Sequence, residues 1–242
     1  MSQFPAYPPA YPSAPAYPDA RAGVALGRAR SPRTFSYVAT AALGVAGGSA
    51  VLGSACLLTA RIVGHSAVSA GTRQVTGRLA PVGGLLLMVP LLVAAVAYVC
   101  WLFRARSNLD EFGLGRLTWS RGWTIAGWVL PIAYLFVPLG VVNEVDRRSA
   151  QSAGVSRRRP VVVLWAVSWL IYEFALATVP LGVALAFSGC GVCAADRPGL
   201  VAGASVASAV LALAGAVAAG TAILLVRRIT ANQDSILEPV GR

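Results

Sequence analysis

The chain has 242 residues, 57% of them hydrophobic and only 12% charged, with a mean hydropathy of +0.68. A soluble domain carries about a quarter charged residues, so this composition excludes an ordinary water-soluble enzyme and makes lipid the solvent. All 20 basic residues are Arg, against nine acidic ones, for a formal net charge of +11; because the Arg bracket apolar windows instead of clustering on one folded face, the charge is a membrane signal and not a nucleic-acid one.

Residues 1–34 carry Ala-Tyr-Pro units at 6–8, 10–12 and 16–18, a composition that predicts a disordered Pro/Tyr-rich tail. The apolar run starts only at Phe35, so the tail is not read as a signal peptide. Pro8-Pro9-Ala10-Tyr11 also matches a WW-domain ligand pattern. A helical membrane domain is expected over 35–236, with hydrophobic segments at about 35–60, 80–103, 122–143, 160–187 and 198–226 and a short tail at 237–242. Each segment is long enough to cross a ~30 Å hydrocarbon core. Continuous apolar runs without alternation exclude a barrel, so the fold class is all-α. The connecting segments fall far short of the roughly 50 residues of a separate folded domain. Abundant Ala, Gly, Val and Arg without Lys resembles GC-biased coding and points to a bacterial source.

The third segment decides whether four or five helices cross. It contains Pro131 and Pro138, each of which removes a helix N–H and strains the preceding turn. If all five segments cross with the N-terminus inside, nine Arg lie inside and eleven outside, against the positive-inside rule. If the third segment enters and leaves on one side, 16 Arg lie inside, leaving Arg61, Arg73, Arg78 and Arg197 outside. The arithmetic favours four spans plus a re-entrant third segment, in the bacterial cytoplasmic membrane, with the N-terminus cytoplasmic. A proline-kinked span is the alternative.

Small residues should let helices pack closely: Gly44 with Gly48 in the first segment, Gly215 with Ala219 in the last. Cys190 and Cys193 form Cys-Gly-Val-Cys in the loop before the last segment. With His65 the only histidine, two further metal ligands are missing; a local disulfide fits an outward-facing loop better. Cys56 and Cys100 read as small packing residues. No metal and no cofactor is expected.

Two places carry polar residues of interest. Trp101, Arg104 and Asn108 fall at i, i+3 and i+7 on one helix face, followed by Asp110, Glu111, Arg121, Trp123 and Trp128. They serve either as an interfacial anchor, with Arg paired to lipid phosphates or to Asp110 and Glu111, or as one wall of a cluster closed by Asn143, Glu144 and Asp146. The other is Glu173, the one ionisable residue well inside a segment, which must be protonated, paired or wet. There is no Ser/His/Asp set and no phosphate-cradling loop, so general acid–base chemistry has few candidates.

At these residues the chain resembles the actinobacterial membrane proteins that carry the domain of unknown function 4328. The resemblance rests on Trp101-x-x-Arg104-Ala105-x-x-Asn108, Ser120-Arg121-Gly122-Trp123, Trp128-x-x-Pro131 with Pro138, Asn143-Glu144, and Arg148-Ser149. Trp165, Trp169 and Arg228-Ile229-Thr230-Ala231-x-Gln233 are similar too. Where the family pattern commonly has Asn three residues after the first proline, this chain has Tyr134, which argues against a polar role inside the third segment. The resemblance implies a multi-pass membrane protein and no mechanism. The sequence thus points to a non-enzymatic integral membrane protein, an interaction or scaffold component whose partner is the lipid bilayer. A small transporter or channel-like protein using the broken segment and Glu173 is the alternative.

Overall fold

The structure, a computed structural model, describes residues 29–64, 70–113, 117–157, 159–188 and 198–237. Its helices are α1 (Arg33–Gly64), α2 (Ala70–Glu111), α3 (Trp123–Val129), α4 (Val137–Ser152), α5 (Arg159–Ser188) and α6 (Pro198–Leu237), with a 3-10 turn at Ala133–Leu135. No strand occurs among the described residues. Four helices hold stretches long and apolar enough to cross a membrane: Arg33–Gly53, Met88–Glu111, Arg159–Ala177 and Ala209–Leu237. Their outward faces carry exposed Leu52, Leu92, Phe174 and Leu213. So large an apolar surface would drive association in water, and it suits lipid.

In both α2 and α6 the spanning stretch runs to the helix end, at Glu111 and Leu237. This brings the polar residues of 104–110 and 228–234 onto helical frames at one end of the bundle. α6 packs between α1 and α5, α2 packs on α1, and α3 and α4 fill the space beside α2 and α6. The core at this end is Trp101, Leu102, Leu109, Val141, Val142, Val145, Leu225 and Ile229.

The third segment is broken. α3 stops at Val129, and its C-cap Leu130 is extended at φ −81° and ψ 121°, the conformation that a following proline imposes. The helices on either side of the break lie at 114° to each other. Only Pro131 acts as a breaker. Pro138 stands in the first turn of α4, where a missing N–H costs nothing and the fixed φ is helical, so it starts a helix. The sharp fold needs Gly127, where an added Cβ would stand 2.6 Å from Val137 Cγ1.

The glycine expectations divide. Gly215 does face a close neighbour, with Tyr172 ring carbons 3.0 Å from an added Cβ, and Ala219 lies against Gly47 at 2.9 Å. Gly44 and Gly48, however, meet nothing within 4 Å. The inward face of α1 carries Ala39, Leu43, Ala46 and Gly47, and Gly44 and Gly48 sit at the wrong angle to reach it. Cys100 is exposed on α2 instead of packed, since the buried arc there runs through Tyr98, Trp101 and Leu102. Of the tail expected at 1–34, residues 1–28 lie outside the described residues, as do the Cys56 side chain and the Cys190–Cys193 pair, while Arg33 and Thr34 already belong to α1.

Candidate functional site

Two sites emerge, a polar lattice at one end of the bundle and a cavity within its apolar part. The lattice begins on α2. Asn108, 1% exposed, donates through Nδ2 to Gln233 Oε1 on α6 at 3.0 Å and to the Arg30 carbonyl at 3.1 Å. Gln233 donates in turn to the Ala105 carbonyl at 2.9 Å and to Ser149 Oγ on α4 at 3.1 Å. One fully buried amide therefore joins α2, α4 and α6. One turn earlier, Trp101 Nε1 donates to Thr230 Oγ1 at 3.1 Å. At the start of α1, Ser31 and Arg33 both donate to the Asp234 carboxylate at 2.7 Å. Buried polar groups have to be paired in this way, because an orphan costs its full desolvation.

The carboxylates of α4 divide two tasks. Glu144, 4% exposed, accepts the backbone N–H groups of Thr118 at 2.8 Å and Trp119 at 3.1 Å. Asp146, fully buried, pairs with Arg157 at 3.0 Å and with Arg228 of α6. Arg157 also donates to Asn143, which is itself exposed.

The expected alignment of Arg104 with this cluster fails. Arg104 is half-buried and takes no part in the lattice. The buried residue is Arg106, whose Nε and Nη2 donate to the Trp119 carbonyl at 2.9 and 2.6 Å while Nη1 meets Asp110 at 2.7 Å. The buried arc of α2 spans Asn108, Trp101, Ala105, Leu109, Leu102 and Arg106. Covered by α1 and α6 on one flank and by 117–119 on the other, it is centred away from Arg104. The anchoring pairs to Asp110 and Glu111 do form, but from Arg121, at 2.6 and 3.5 Å. The hydrogen bond to Asp110 holds the Arg121 guanidinium above its ordinary pKa. Trp123 is exposed and stacks edge-on against Trp119, with ring centroids 6.1 Å apart.

The cavity lies between α2 and α5, backed by α1 and α6, and has a volume of about 340 Å³. Its walls include Tyr98, Trp128, Tyr134, Trp165, Trp169 and Glu173. Glu173 stands 14 residues into α5, about 21 Å along the axis from Arg159, and so well inside a ~30 Å hydrocarbon core. Tyr134 belongs to the 3-10 turn within the break and lines the cavity together with Glu173 and Trp169. Trp169 sits between Trp128, Tyr134 and Trp165 at centroid distances of 5.9, 5.2 and 5.9 Å, and Tyr98 closes the wall at 5.9 Å from Trp128. Neither Arg104 nor any other Arg is among the described residues lining the cavity.

The sequence singled out Trp101, Asn108, Glu144, Trp128 and Glu173; Arg106 stands in the same polar run and Gln233 in the matching C-terminal motif, but the pattern put Arg104 on the buried face and gave the Gln233 amide no place as the hub. No cluster with a metal-binding arrangement occurs among the described residues.

A bundle of apolar helices, a folded third segment and a buried polar end define a small multi-pass helical membrane protein. The family model of the domain of unknown function DUF4328 matches residues 65–231, and the chain belongs to that family. No curated relative and no solved structure matches it. The residues that carry the resemblance meet in space: Trp101 with Thr230, Asn108 with Gln233, Gln233 with Ser149, and Glu144 with the turn before Arg121.

Proposed function

We propose that this is a non-enzymatic protein of the bacterial cytoplasmic membrane that takes a small molecule into the cavity beside its broken third segment. The polar lattice stays on the cytoplasmic side with the N-terminus. Of the two functions open in the sequence, an interaction component and a small transporter-like protein, the geometry favours the second. The observation that carries this reading is the cavity itself: about 340 Å³, within the range of small-molecule pockets, apolar over most of its wall, with one carboxylate, Glu173, in its lining. A discontinuous helix at such a site follows the general design of membrane transporters. Catalysis has no support in the lattice, where each carboxylate is already committed to a backbone or Arg partner.

The same lattice supports the topology. Its members come from the start of α1, the ends of α2, α4 and α6, and Arg157 in the segment before α5, the ends that four crossings and one re-entrant segment would bring to one side. Sixteen Arg on that side satisfy the positive-inside rule.

The test is ligand uptake by the purified protein in lipid nanodiscs, followed by the fluorescence of the tryptophans lining the cavity. Small lipophilic aromatics should change that fluorescence saturably. Ala95→Phe, which places a ring at the cavity's exposed rim, should abolish the change. A response that is unsaturable, or unaltered by Ala95→Phe, defeats the reading.

A further inference from the structure

We propose that the ligand of this cavity is a hydrophobic organic monocation, an ammonium with apolar substituents, paired to the Glu173 carboxylate and held against aromatic ring faces. The inference rests on the ligand-binding reading above and adds the chemical class of the ligand.

Four features converge on that class. The first is charge. Glu173 lines the cavity, and the described lining holds no cation to face it. An unpaired carboxylate at membrane depth is costly, and a positively charged guest removes that cost. The second is the wall. Tyr98, Trp128, Tyr134, Trp165, Trp169 and Tyr172 line the cavity, and aromatic faces carry negative potential that attracts cations, most strongly where water is excluded. Cages of this composition suit quaternary ammonium groups.

The third is what the site lacks. A hard inorganic cation needs six or more oxygen ligands, and this lining offers one carboxylate and three phenol oxygens. The rest is apolar, including Leu43, Leu91 and Leu176, which fits alkyl or aryl substituents. The fourth is an orphan. Tyr98 is 4% exposed and its hydroxyl has no hydrogen-bond partner. A buried hydroxyl normally has one, and one without a partner can turn its oxygen toward a cationic guest.

The experiment compares two probes of one shape, benzyltrimethylammonium and its uncharged carbon isostere neopentylbenzene. Binding is measured by equilibrium dialysis against the full chain in phosphatidylcholine nanodiscs, with empty nanodiscs subtracted. The cation should bind at least roughly tenfold more tightly than the isostere. Glu173→Gln should erase that preference while leaving neopentylbenzene binding unchanged. Should Glu173→Gln not fold, Trp128→Leu, which removes one aromatic face from the wall, should weaken the cation more than neopentylbenzene. If both probes bind equally and these variants do not separate them, the cation assignment is overturned and the ligand cavity stands. If neither probe binds, or Ala95→Phe changes neither, the cavity reading falls and the cation assignment falls with it.

Discussion

Glu144 holds Thr118 by its backbone: the carboxylate accepts that N–H at 2.8 Å, and the next one, of Trp119, at 3.1 Å. The contact spans the whole third segment and ties its entry to its exit, so the break at Pro131 is closed at the base by one side chain. Glu144→Ala would leave two N–H groups without their acceptor, at about 1–3 kcal/mol each. The expected result is a large loss of thermal stability in detergent, read from tryptophan fluorescence. Glu144→Gln, which accepts at one oxygen only, should fall between.

Arg104 and Arg106 lie two positions apart, and only one matters to the fold. Arg106 is 3% exposed and bonds the Trp119 carbonyl twice, so Arg106→Ala should cost about 1–3 kcal/mol. Arg104→Ala should stay within about 0.5 kcal/mol, as surface changes do. Comparing the melting temperatures of the two variants decides it; equal losses would mean that the buried arc of α2 is centred on Arg104 after all.

That pair also shows what was legible in the sequence. Charge-free windows delimited the helices because a charge at mid-bilayer is expensive, and Pro131 marked the break because it constrains Leu130. Asn108, Glu144 and Glu173 stood out as polar residues at or near apolar segments. Their partners did not, because Asn108 and Gln233 are 125 residues apart and no local pattern encodes such a pairing. Arg106 was passed over for Arg104 because a helix covered on two flanks buries a wider arc than i, i+3, i+7 spacing describes. Pro138 was misread since a proline that starts a helix and one that ends it look alike until the boundary is known.

Asp146 is fully buried between Arg157 and Arg228. Removing one partner of a buried pair leaves an uncompensated charge, at about 3–5 kcal/mol, and Asp146→Asn leaves two guanidinium groups facing an amide. It should destabilise more than Arg228→Ala, which leaves Arg157 on the carboxylate. Thermal melts of the two variants under identical lipid conditions give the order, and the reverse order would show that Arg228 is the dominant partner.

Gly140 lies under an indole. An added Cβ would stand 2.7 Å from Trp119 Nε1 and 2.9 Å from Cε2, closer than real Cβ contacts come, and Trp119 is held at both its N–H and its carbonyl. Gly140→Ala should therefore cost about 1–3 kcal/mol, as overpacking does, although alanine is the better helix former. Gly44→Ala, with open space around it, should be neutral or slightly stabilising by the same assay.

The topology can be read in cells. Gly113 follows α2 and Ser152 ends α4, so the two positions flank the third segment, and the Glu144 contact keeps its entry and exit together. Single cysteines at Gly113 and Ser152, in a background lacking the native four, should both resist an impermeant maleimide in intact cells and both react once the cells are opened. The Arg distribution predicts the side, since a shared cytoplasmic face gathers 16 of the 20 Arg. Labelling of both sites in intact cells would keep the re-entrant fold and reverse its orientation. Labelling of only one would mean that the third segment crosses, and the proposed topology would fall.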